Sequence, residues 1–127
     1  MQNKLSCVWS GKTIKEDFHV DHALPFSVLK NNDLWNLLPA KQFINTKKSD
    51  DIPGIELLSR PVVKERIIHY WELLKKDFDE QFSKEVQVSL LGRELLKPDN
   101  WQNQCYRGLL NLSDYLINER GLTPWNY

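Results

Sequence analysis

The character of the sequence changes at Pro53 and Gly54, and this change constrains the fold more than any other feature. Before it, short segments alternate apolar and polar residues between turn residues, which is typical of strands. After it, apolar residues recur at spacings of three and four, which is typical of amphipathic helices. We therefore predict an α+β fold, with a mixed segment over residues 1–53 and a helical extension over residues 54–127.

The mixed segment begins with two strand-like stretches. A β-hairpin is predicted over residues 7–14, because Ser10 and Gly11 can supply the positive φ that a tight turn requires. Residues 18–24 then alternate apolar and polar side chains until Pro25 stops the pattern. This second stretch is predicted to be a strand, in which Phe18, Val20 and Leu24 are the apolar members of the alternation.

The rest of the mixed segment is predicted to be a turn, a strand and a helix. Residues 30–33 have the composition of a turn, and residues 34–38 suit a short second strand. Pro39 and Ala40 are predicted to open a helix that runs to about Ser49, because proline is favoured at the first helical position. Together with the first strand, this order gives a strand–strand–helix unit.

The extension is predicted to contain long helices. Pro61 suits a helix start, residues 83–97 are also predicted to be helical, and a last helix follows Asn100 until Gly121. The apolar stripe of the first helix consists of Val63, Ile67, Tyr70, Trp71, Leu74, Phe78 and Phe82. The stripe of the last helix consists of Cys105, Leu109, Leu112 and Leu116.

Size and composition exclude several classes of protein. The chain has 127 residues, 41% of them hydrophobic, so it is predicted to form one domain and not a disordered tail. It has neither a long apolar run nor a secretory signal, so a cytoplasmic location is expected. Its two cysteines are far apart, which excludes a disulfide framework and a CxxC zinc site.

The charge balance limits binding to nucleic acid. Lys plus Arg and Asp plus Glu both total 17, so the formal net charge is zero. Strong autonomous binding to nucleic acid needs concentrated basic side chains, so any such binding must be local. We therefore expect a targeting domain or a partner protein to assist.

The residues that carry chemistry lie between positions 20 and 50. Asp21 is a hard oxygen donor suited to Mg²⁺ or Mn²⁺, and Asn45 offers a second oxygen from the predicted helix. His22 can be neutral near pH 7 and can accept a proton from water. Successive strand residues point to opposite faces, so Asp21 and His22 can share one site only where the strand ends, as Pro25 suggests.

These residues resemble the HNH, or ββα-metal, endonucleases, and are most similar to the HNH domain of RNA-guided CRISPR nucleases. The resemblance covers about residues 7–53. Its pieces are Val20, Asp21, His22, Pro25, Ser27, Leu29, Lys30, Asn36, Asn45, Lys48, Ser49 and Asp50. It implies an enzyme that hydrolyses phosphodiester bonds, with DNA as the expected substrate and RNA left open. Restriction, phage defence, homing and repair all use this unit.

The resemblance also implies a role for each matching residue. His22 is the implied general base, and Asp21 and Asn45 are the implied ligands of one divalent metal. Asn36 matches the family's middle Asn, which braces the loop and orients the base, and Lys48 matches a basic position that is a candidate phosphate contact. The chain lacks the zinc-binding CxxC pairs of commoner members and has Asn45 where many have His, which favours Mg²⁺ over a softer metal.

Plainer interpretations stay open for several residues. His22 alone could be a structural histidine, and Asn36 is read as a support residue that transfers no proton. His19 could be a third ligand, although an exposed strand histidine is favoured, and Lys41 and Lys47 could simply be solvated. For the whole chain, the alternative is a non-catalytic HNH-like module that binds a protein or nucleic acid through its helices.

Overall fold

The computed structural model describes residues 5–15, 18–30 and 33–127. The fold is mixed α+β, as predicted, with two small sheets and long C-terminal helices. The strands are β1 (Phe18–His22), β2 (Leu37–Lys41), β3 (Ile52–Pro53) and β4 (Pro124–Trp125). The α-helices are α1 (Phe26–Leu29), α2 (Gln42–Lys48), α3 (Ile55–Leu58), α4 (Pro61–Leu91) and α5 (Trp101–Asp114).

The predicted hairpin near the N-terminus is present as a tight turn closed by one antiparallel bridge between Ser6 and Thr13. The Cys7 N–H donates to the Lys12 carbonyl at 2.9 Å. Gly11 has φ +79°, a left-handed conformation that glycine adopts without the Cβ penalty. The small-residue pair therefore does supply the positive φ that the turn needs.

Strands β1 and β2 form an antiparallel pair in which His22 lies opposite Leu37. On β1 the apolar Val20 is 46% exposed, whereas the polar Asp21 is only 3% exposed. Helix α2 contacts β1, and Asp21 obtains buried polar partners, so the polar residue takes the covered face. The side chains of Phe18 and His19 lie outside the described residues.

The start of the second strand and of the first longer helix also differ from prediction. Residues Leu34–Asn36 form a 3₁₀ turn, and Pro39 and Ala40 belong to β2 instead of opening the helix. Proline is tolerated in this strand because a two-stranded sheet leaves each strand an outer edge that needs no N–H donor. The predicted turn over residues 30–33 falls partly on Asn31 and Asn32, outside the described residues.

Helix α4 is the longest element of the extension but is interrupted at Asp79, where φ is +56° and ψ is −150°. The interruption is absent from the sequence prediction, and Phe78 beside it is 53% exposed instead of buried. The helix ends at Leu91, earlier than the predicted Lys97, because Gly92 adopts φ +79° at its C-terminus.

Helix α5 starts after Asn100, as predicted, and continues as a π-helical segment, Tyr115–Glu119. Gly121 follows with φ +70° and marks the end of the helical part. The chain then returns to the mixed segment, where β4 pairs in parallel with β3. This second sheet is not predictable from local pattern, because its two strands lie at distant points in the sequence.

The buried apolar residues form one cluster with members from both parts of the chain. Trp71 and Cys105 are fully buried, as predicted. The Trp71 indole donates to the Trp35 carbonyl at 3.0 Å, which fixes α4 against the mixed segment. None of the helices within the described residues is long and apolar enough to cross a bilayer.

Candidate active site

The end of β1 and helix α2 form a small cleft of about 170 Å³. It brings together Asp21, His22 and Asn45, three of the residues singled out in the sequence. Helix α2 packs on both strands of the sheet, so the helix that carries Asn45 is held beside the strand that carries the other two. The cleft lining consists of Val20, Asp21, His22, Pro25, Phe26, Ser27, Asn45, Ser49 and Asp50.

The Asp21 carboxylate is held by two partners. The Trp9 indole N–H donates to Oδ2 at 2.8 Å, and the Lys48 ammonium lies 3.6 Å from Oδ1. Burial raises the pKa of the Asp21 carboxyl above its usual value, while the Lys48 charge and the Trp9 hydrogen bond act in the opposite direction. The ion pair and the indole therefore help to keep a buried carboxylate ionised.

Lys48 is fully buried, with 0% of its surface exposed. Its ammonium donates to the His22 carbonyl at 3.0 Å in addition to pairing with Asp21. Burial lowers the pKa of the Lys48 ammonium, and the charge of Asp21 opposes this shift. Lys48 is not among the residues that line the cleft, and these contacts give it a bracing position beneath it, while the predicted phosphate contact stays a prediction.

His22 is the last residue of β1 and is half-buried at the cleft. Its ring lies edge-on to Phe26, with 6.0 Å between ring centroids. The strand ends here, so Asp21 and His22 both line the cleft although strand neighbours normally face opposite sides. Because His22 is the last residue of the strand, the alternation of strand side chains does not keep it out of the cleft that Asp21 lines.

Asn36 is fully buried beneath the loop that follows His22. Its Oδ1 accepts from the Leu24 N–H and its Nδ2 donates to the Leu24 carbonyl, both at 2.8 Å. The Ala23 N–H also donates to the Asn36 carbonyl at 2.9 Å. Asn36 therefore braces the loop and is absent from the cleft lining, while its predicted part in orienting the base stays a prediction.

Asn45 lies near the middle of α2 and is half-buried, facing the cleft. Two further residues of the cleft lining, Ser49 and Asp50, come from the chain directly after α2. Ser49 has φ +51°, so the chain bends there. This bend brings Asp50 to the cleft. Asp50 is part of the sequence resemblance but has no role assigned from it, and its place at the cleft depends on the bend.

Trp9 is the other site residue that sequence reasoning misses. It is buried and bonds Asp21 from the N-terminal turn. A polar N–H on a buried aromatic residue usually finds a partner, but the sequence does not identify which acceptor is close.

The remaining candidates lie elsewhere. Lys47 is exposed on α2, with its ammonium 4.7 Å from the centre of the Phe43 ring. Lys41 ends β2, and neither lysine lines the cleft. The His19 side chain is not among the described residues, so the structure gives it no place.

The cleft has the donor chemistry that a divalent cation requires, although no dense ligand cluster is present. The described residues contain no group of three or more His, Cys, Asp or Glu side chains placed to hold a metal ion. A carboxylate has about four lone-pair sites, so the bonds of Asp21 to Trp9 and Lys48 leave some unused. Mg²⁺ characteristically binds through one or two carboxylates and keeps several waters, so a cleft with few protein ligands is compatible with such an ion.

Comparison with known proteins finds one family for the segment that contains the cleft. Residues 7–54 match the family model described as HNH endonuclease, and no solved structure matches the chain. The match spans β1, β2, α2 and the whole cleft, and it ends before the long helices. It indicates a nuclease domain that acts on nucleic acid, in a family that usually binds a divalent metal. Residues 7–54 are therefore similar to the HNH endonuclease family.

Proposed function

We propose that this protein is a metal-dependent endonuclease that hydrolyses phosphodiester bonds in DNA. The observation that carries the proposal is the convergence of Asp21, His22 and Asn45 on one cleft, within a segment that matches the HNH family. These three residues come from a strand end and a helix that only the fold brings together.

In this proposal Asp21 and Asn45 hold one divalent metal, with Mg²⁺ preferred and Mn²⁺ as the alternative. Both ligands bind through oxygen, which suits these hard cations. When bound, the metal neutralises charge on the phosphate group and stabilises the leaving oxygen. Asp21 is suited to this role because Lys48 and Trp9 favour its ionised form despite burial.

His22 acts as the general base and accepts a proton from the attacking water. An imidazole nitrogen that carries no proton is an acceptor, so the His22 ring can take a proton from water. Its backbone is held on one side by Lys48, and the loop after it is braced by Asn36. These contacts fix the point from which the imidazole projects into the cleft.

The proposed substrate is double-stranded or single-stranded DNA, delivered with the help of a targeting domain or a partner protein. The zero net charge supports this division, because binding to a polyanion draws its strength from an excess of basic side chains. We expect the chain alone to bind DNA weakly and with a shallow dependence on salt, because it neutralises few phosphates.

The test is cleavage of supercoiled plasmid and of single-stranded DNA with Mg²⁺, Mn²⁺ or EDTA. Metal-dependent nicking by the wild type and its loss in His22→Ala are expected. His69→Ala is the matched control, because His69 is exposed on α4 and outside the cleft. Nicking that survives His22→Ala would exclude His22 as the base. A folded wild type that neither cleaves nor binds Mn²⁺ would favour the non-catalytic alternative.

A further inference from the structure

Trp9 and Lys48, two described residues that contact the Asp21 carboxylate, differ in charge. Lys48 is a cation and so repels a metal ion that approaches the same carboxylate. The Trp9 indole is a neutral donor, so it can orient the carboxylate without opposing the metal's charge. Trp9 is therefore the partner whose contact is compatible with a cation on Asp21.

Trp9 is itself held by the C-terminal end of the chain. The Trp125 ring lies edge-on to the Trp9 ring, with 5.7 Å between centroids and 81° between planes. Edge-to-face aromatic pairs at this separation are favourable. Trp125 thus contacts the residue that bonds the proposed metal ligand, although it lies outside the segment that matches the family.

The position of Trp125 is fixed by the small parallel sheet. The Gly54 N–H donates to the Trp125 carbonyl at 2.8 Å, and the Ile52 N–H donates to the Thr123 carbonyl at 2.9 Å. The Asn126 side chain adds a bond from the Leu57 N–H at 3.3 Å. The C-terminal segment is therefore anchored on both sides of Trp125.

We propose that Trp9 is a positioning residue for Asp21 and that Trp125 holds Trp9 in place, so that the C-terminal segment completes the metal site. The inference deepens the proposed function and rests on it. It gives the segment after α5 a role in the site, in addition to its contribution to the core.

The test is Mn²⁺ binding to the full chain by isothermal titration calorimetry, at a temperature where circular dichroism shows every variant folded. Trp9→Phe keeps an aromatic ring but removes the N–H that bonds Asp21. We expect it to weaken Mn²⁺ binding about tenfold, the order of magnitude of one hydrogen bond to a charged group. Trp125→Ala should also weaken binding, and Trp125→Phe should restore much of it because an aromatic ring is regained.

The matched control is Trp101→Phe, because Trp101 is a buried core tryptophan that packs on Trp71, away from the cleft. It should lower stability and leave the Mn²⁺ dissociation constant unchanged, which separates positioning from general stability. Wild-type affinity in Trp9→Phe would overturn the positioning role and leave the metal site intact. Loss of affinity in Trp9→Phe but not in Trp125→Ala would overturn the role of the C-terminal segment. A wild type that binds no Mn²⁺ would overturn the proposed metal site and this inference with it.

Discussion

Replacing Lys48 by Met tests whether a buried ion pair supports the candidate site. Methionine keeps the apolar stem and removes the ammonium, so packing changes little while two contacts are lost. These contacts are the pair with Asp21 at 3.6 Å and the hydrogen bond to the His22 carbonyl at 3.0 Å. Both partners lie in the cleft or directly beside it.

The expected cost is large because the remaining carboxylate is buried. Removing one member of a buried pair typically costs about 3–5 kcal/mol, since it leaves a charge without compensation. This is a substantial part of the free energy of unfolding of a typical domain, which is about 5–15 kcal/mol. For a chain of this length it corresponds to a fall in Tm of roughly 10 °C or more.

The stability lost in Lys48→Met should also depend on pH. Burial already raises the pKa of Asp21, and loss of the Lys48 charge should raise it further. A carboxyl with a raised pKa in the folded state contributes stability below its unfolded pKa and loses it as pH rises through the folded pKa. The deficit of Lys48→Met relative to the wild type should therefore be larger at pH 8 than at pH 5.

Urea denaturation followed by circular dichroism measures these differences, and Lys47→Met is the matched control because Lys47 is exposed on the same helix. The control should change stability by no more than about 0.5 kcal/mol. In Lys48→Met combined with Asp21→Asn, the loss should be about 2 kcal/mol smaller than the sum of the single losses. A Lys48→Met variant within about 1 kcal/mol of the control would refute the claim that this ion pair is important.

Three further predictions concern the brace, the helix packing and the buried thiol. Asn36→Ala removes two hydrogen bonds to the Leu24 backbone and should cost about 2–4 kcal/mol in urea denaturation, and a loss below 1 kcal/mol would contradict the bracing role. Gly108→Ala should lower Tm by calorimetry despite alanine's better helix propensity, because its Cβ would lie 2.7 Å from the Leu90 carbonyl oxygen. Burial raises the pKa of Cys105 to about 12, so native iodoacetamide labelling at pH 8 should leave this thiol unmodified by mass spectrometry. Its contribution to stability should fall as pH rises from about 9 to 12.

Much of the architecture could be predicted because it follows local patterns. The α+β class, the start of α4 at Pro61 and the burial of Trp71 and Cys105 agree with apolar spacing and capping residues. The element boundaries within the mixed segment were harder to predict, since Pro39 is compatible both with a helix start and with the edge of a strand. Which of these applies depends on what lies beside the strand.

The candidate site likewise has features that the sequence shows and contacts that only the fold creates. Its residue types and their order, Asp21, His22, Asn36 and Asn45, are properties of the sequence, and so is the resemblance that they carry. The sequence does not show that Lys48 is buried against Asp21, nor that Trp9 donates to the same carboxylate. Those contacts join residues from separate turns, strands and helices.

By itself, the sequence determined the class of fold, the helical extension and the set of candidate residues for phosphodiester chemistry. Only the tertiary structure decided that Asp21, and not Val20, takes the covered face of β1. Strand periodicity requires alternate residues to face opposite sides but leaves open which side is covered. That choice was made by the neighbours from distant segments, because an aspartate is buried only where other parts of the chain bring a cation and a donor to it.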